Sequence, residues 1–139
     1  MNEHDGGSAG LWDGIDSLWQ WLETSRPPEH GDGDGDGNRR DVLLLRLLKL
    51  SEEVGEVAQA VLGVTGQNPR KGTTHTWDDV QAELCDVAIT ALVVLRTLTP
   101  DTREVFTRHL ARVTERSLGP SAAVHPADVP TPRAVGDTR

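Results

Sequence analysis

Cysteine is almost absent from this 139-residue chain, and its one copy, Cys85, can close no internal disulfide. A lone thiolate cannot build a structural zinc site either, so packing must hold the fold, and a reducing cytoplasm suits such a chain best. Positive charge is also scarce: 14 Lys and Arg stand against 22 Asp and Glu, for a net charge of −8. That is the wrong sign for passive attraction to phosphate backbones or anionic lipid, so neither nucleic acid nor membrane is expected as a partner. Long apolar runs are missing. The two most apolar stretches, 42–50 and 87–95, are nine residues each, against roughly 20 needed to span a bilayer. The first ten residues carry acids and glycines where an export signal needs basic and then apolar residues. No run of strand-like alternation and no internal repeat appears.

What is present is helical periodicity interrupted by polar, glycine-rich segments. Residues 1–10 read as a disordered tail. From residue 11, Leu11, Trp12, Ile15, Leu18, Trp19 and Leu22 recur at the steps of a short amphipathic helix over 11–24. Residues 25–38 hold Pro27, Pro28 and an alternating Asp-Gly tract, too polar to offset the entropy lost on ordering, and read as a flexible linker. A leucine-rich helix is expected over 39–62, then a loop with Gly63, Gly66, Pro69 and Gly72, longer than helix connections usually are. Thr76 and Asp79 form a capping signal for a second helix running to about Leu98. Thr99, Pro100, Asp101 and Glu104 signal a third, ending at Gly119. Residues 119–139, rich in proline, read as a disordered tail.

Two metal motifs can be tested and set aside. Asp32, Asp34, Asp36 and Gly37 match the opening of a calcium loop, but its twelfth position is Leu43 where a bidentate Glu is required. A di-iron bundle needs Glu-x-x-His, which occurs nowhere. The stronger signal is a set of acids on two successive helices. Glu52, Glu53 and Glu56 lie in SEEVGEV, and Glu83 and Asp86 in ELCDV, each group at helical spacing beside residues that should be buried. Ionised carboxylates there require a partner, because burial and like-charge repulsion would otherwise force them neutral. Oxygen ligands without Cys or His point to Mg²⁺, with Mn²⁺ possible, and Mg²⁺ usually takes substrate phosphates as further ligands. Gly55, inside the cluster, costs about 1 kcal/mol relative to Ala and hints at a close approach.

Glu52-Glu53-x-x-Glu56 followed by Glu83-x-x-Asp86 resembles the EExxE…ExxD signature of the MazG-like all-α nucleoside triphosphate pyrophosphohydrolases. The resemblance spans residues 39–118. It implies an antiparallel helical bundle completed by oligomerisation, as a homodimer or homotetramer, that hydrolyses a nucleoside triphosphate to the monophosphate and pyrophosphate in nucleotide-pool sanitation. It further implies metal ligation by Glu53, Glu56, Glu83 and Asp86, with Glu52 activating water or holding a second ion. Basic residues should meet the phosphates. Arg70 and Lys71 in the loop, and Arg112 and Arg116 in a stripe with Arg108 on the last helix, are the candidates. Trp77 could stack on a base, His75 and His109 read as surface residues, and Cys85 should point into the core. The competing reading is a non-catalytic helical interaction protein with a degenerate acidic site.

Overall fold

The computed structural model describes residues 5–26 and 35–119. The fold is all-α, with no strand among the described residues: α1 covers Asp5–Thr24, α2 Gly35–Val64, α3 Trp77–Leu98 and α4 Thr102–Leu118. The chain divides into two units, Met1–Glu104 and Val105–Arg139. In the first, α2 and α3 form the principal packed pair and α1 lies on α3. Arg46 of α2 meets Thr97 of α3, while Glu53 and Glu56 lie beside Glu83, so residue numbers rise along one helix as they fall along the other. The pair is therefore antiparallel. The second unit, among its described residues, is the remainder of α4, closed by Gly119 at φ 73° with its N–H on Glu115 O at 3.0 Å.

Local chemistry sets the helix ends. Thr76 caps α3 through a reciprocal box: Asp79 N–H donates to the Thr76 hydroxyl at 3.2 Å, and Thr76 N–H donates to the Asp79 carboxylate at 2.7 Å. That bonding holds the Asp79 carboxyl below its ordinary pKa. At the end of α2, Gln67 N–H reaches Leu62 O and Gly66 N–H reaches Gly63 O, the Schellman pairing, which needs the left-handed backbone that Gly66 supplies at φ 64°. The loop then folds back over the helix end. Thr74 N–H donates to Gly63 O at 3.1 Å, and a β-carbon on Gly63 would overlap the His75 ring and lie 2.7 Å from Thr74 Oγ1. Gly63 is the glycine that close approach requires.

Several boundaries differ from the sequence reading. Asp5–Gly10, expected in a disordered tail, belong to α1, and α2 begins at Gly35 inside the expected linker. Propagating a formed helix by one residue adds a hydrogen bond and meets none of the cost of starting it, which allows polar flanks to join. Residues 1–4, 27–34 and 120–139, the rest of the expected tails and linker, lie outside the described residues. Thr99, expected to open the last helix, instead caps α3 with its N–H on Leu95 O, and Pro100 occupies the intervening turn.

Apolar burial is thin among the described residues. Ile15, Ala60, Val80, Val93 and Val94 are the buried hydrophobic residues, joined by two polar ones, Glu53 and Thr102. Charged side chains do much of the tying between helices. Arg46, which interrupts the leucine run, sends one nitrogen to Glu23 of α1 at 2.7 Å and another to Thr97 of α3. Arg96 of α3 bonds Asp16 of α1 at 2.6 Å and stacks over Trp19, 4.2 Å from the ring centre. No helix among the described residues is long and apolar enough to cross a membrane.

Candidate metal centre

The acids come together because a helix places residues three and four apart on one face, and because α2 and α3 run antiparallel. Glu53 and Glu56 are one turn apart on α2; Glu83 faces them from α3. Each offers an oxygen within 4.8 Å of the other two. Around Mg²⁺ at about 2.1 Å, adjacent ligand oxygens are about 3 Å apart and opposite ones about 4 Å, so this set would have to draw in somewhat to hold an ion. The donors are all oxygen, which matches a hard cation. Glu53 is only 7% exposed, an unusual depth for a carboxylate.

Lys49, one turn before Glu53, is the cation beside these acids. Its ammonium lies 2.9 Å from Glu53 Oε1 and 3.0 Å from Glu52 Oε2. The hydrogen bond to Glu53 raises the lysine above its ordinary pKa, and in return Lys49 holds Glu53 below the usual carboxylate range. Glu56 moves the other way: its hydrogen bond with Glu53, then desolvation and the negative charges of Glu53 and Glu83, favour its protonated form. Two neighbouring carboxylates are thus pushed apart in acidity, one kept ionised and the other inclined to hold a proton. In the sequence Lys49 reads as an interruption of the apolar run 42–50 and not as a site residue, although its i,i+4 spacing to Glu53 is there to be read.

The triad does not include the other expected site residues. Asp86 is exposed, one turn beyond Glu83, and is not among the three converging acids. Glu52 is exposed and engaged by Lys49. Arg70 and Lys71 are exposed in the loop beyond the end of α2. Arg112 and Arg116 are exposed on α4, in the second unit. Trp77 is 60% exposed. Two expectations are corrected. Cys85 is exposed and not in the core, since two residues of helix turn it about 200° from Glu83. Gly55 has open space where a β-carbon would sit, so no close approach explains it among the described residues.

Compared with protein-family models, curated proteins and solved structures, the chain matches none. The geometry of the site therefore carries the functional argument alone.

Between α1 and the α2–α3 pair lies a cleft of about 340 Å³ whose lining includes Leu18, Trp21, Leu45, Lys49, Ile89 and Val94. Lys49 thus borders both the cleft and the acids. Nothing in the sequence signalled this cavity, because its walls come from three distant segments.

Proposed function

We propose that the chain is an Mg²⁺-dependent nucleoside triphosphate pyrophosphohydrolase of the MazG-like kind, releasing nucleoside monophosphate and pyrophosphate in nucleotide-pool sanitation. The observation that supports this most directly is the convergence of Glu53, Glu56 and Glu83 from two helices, with Lys49 set against them. These three would hold the cation, with Asp86 joining from the next turn of α3 or receiving one of the ion's waters. When bound, the cation would withdraw charge from phosphoryl oxygens and acidify a water.

The chain's own residues have separable tasks in this reading. Glu53, kept ionised by Lys49, is the ready ligand, and Glu56, with its pKa raised, is the ligand for which protons compete most with a metal. Lys49, 51% exposed, offers its ammonium to a phosphate tail that lies over the triad. Glu52, at the solvent edge, is placed to take a proton from water. Arg70 and Lys71 remain proposed phosphate contacts. Assembly as a homodimer or homotetramer is supported by the apolar side chains the single chain leaves bare, including Leu44, Leu48, Val54, Leu62 and Leu84, each more than half exposed.

The test is pyrophosphate release from a panel of ribo- and deoxyribonucleoside triphosphates with and without Mg²⁺. Glu53→Gln should lower turnover more than about 100-fold, since even groups that merely orient metal ligands cost 10–100-fold. Absence of release from every triphosphate would sink the proposal. The same bare leucines also favour the second reading, a non-catalytic interaction protein. A melting temperature blind to Mg²⁺ and Mn²⁺ would select it, because ligation by native carboxylates must stabilise the fold.

A further inference from the structure

The cleft beneath α1 is unexplained by the metal site, yet it shares Lys49 with it. We infer that this cleft receives the planar base of the nucleotide, with Trp21 stacking on it and Lys49 marking the border between base and phosphates. The inference rests on the pyrophosphohydrolase reading and assigns the α1 helix a part in it.

Four observations converge on that occupant. The cleft holds about 340 Å³, within the range of sites for small organic ligands. Its walls are apolar, with Arg46, Lys49 and Thr90 as the polar exceptions, and Arg46 is already committed to Glu23 and Thr97. A flat, weakly polar head suits such walls; a phosphate does not. Trp21, at 61% exposure, presents an indole to the cleft without being packed away, and stacking on tryptophan is available to every base. Finally, Thr90 stands seven residues beyond Glu83 on α3, about 10 Å along the axis, with Asp86 between them. That separation matches a ligand whose charged tail is gripped at one end while a ribose bridges to a base at the other. A segment of this chain or a second copy would meet the apolar walls as well, but it would give no reason for the cleft to lie within a nucleotide's length of the converging carboxylates.

The experiment uses the full chain with ATP, GTP, CTP and UTP in Ca²⁺, read by tryptophan fluorescence, alongside steady-state kinetics in Mg²⁺. Trp21→Leu and Leu45→Trp are chosen because both positions are more than half exposed, so the fold should survive. Trp21→Leu should abolish most of the nucleotide-dependent quenching. Both variants should raise KM at least about tenfold with kcat largely kept, as expected for lost stacking and a filled cleft. Inhibition by inorganic tripolyphosphate, which has no base, should be unchanged. Hydrolysis with KM and quenching unaltered in both variants would overturn the cleft assignment while leaving the pyrophosphohydrolase reading intact. Neither hydrolysis nor quenching with any nucleotide would overturn both.

Discussion

The α2–α3 pair handles charge in two different ways along its length. Where α1 covers it, positive and negative groups are matched: Arg46 meets Glu23, and Arg96 meets Asp16. A few residues along, Glu53, Glu56 and Glu83 converge, and Lys49, paired with Glu52 and Glu53, is the cation beside them among the described residues. The first stretch shows that this fold can neutralise charge between helices with its own side chains. The second leaves a surplus of negative charge, including Glu53, one of two buried polar residues among those described. Side-chain attraction therefore accounts for one stretch, whereas the other has the surplus that the proposed function assigns to a bound cation.

Neutralising substitutions should break this contrast in opposite senses, and the largest effects fall in the acid stretch. Glu83→Gln should lower the proposed pyrophosphohydrolase turnover more than about 100-fold, the same loss expected of Glu53→Gln. It should leave the metal-free melting temperature unchanged or higher, because it relieves like-charge repulsion. Mg²⁺ at 100 times its dissociation constant should stabilise the wild type by about 2.7 kcal/mol and this variant far less. In the covered stretch, Arg46→Met should cost about 1–2 kcal/mol, since it removes the bonds to Thr97 and Glu23 and weakens the hold on α1. If Glu83→Gln destabilises the metal-free protein as Arg46→Met does, the acids are structural and the contrast is void.

Acidity gives a second test of the same stretch. Glu56 has its pKa raised, so the proton competes with a metal for it, and lowering the pH through that value must weaken ligation. Mn²⁺ titrations between about pH 5 and about pH 8 should show affinity rising with pH, with a smaller slope in Glu56→Gln. Glu53 contributes less to this slope because Lys49 already depresses its pKa. A slope unchanged by Glu56→Gln would place the titrating group elsewhere.

The contrast also explains what the sequence could disclose. Glu53, Glu56 and Glu83 were legible because helical spacing is local and the capping signal at Thr76 and Asp79 fixed where α3 begins. Lys49 and Arg46 were visible as residues, but the roles they take depend on which helices lie beside them. The antiparallel fold-back could be expected from two helices and a loop; the cleft could not, since Trp21, Leu45 and Ile89 meet only once α1 has packed. Helix ends were misplaced where propagation carried α1 and α2 into glycine-containing flanks, a cooperative effect that single-residue preferences do not contain.

The smallest test concerns the backbone of α2 and bears on whether the acid stretch is complete in one chain. Gly63→Ala should cost about 1–3 kcal/mol, because the added methyl overlaps the His75 ring and crowds Thr74 Oγ1 in a loop tied back to the helix. Gly55→Ala, two residues from Glu53, meets open space and should instead stabilise the protein by about 0.5–1 kcal/mol through helix propensity. Thermal melts of the two variants, with light scattering to follow oligomeric state, check both. A destabilising or dissociating effect of Gly55→Ala would mean that a second copy lies against this face. Its side chains would then enter the charge balance around Glu53, and the surplus inferred from a single chain would have to be recounted.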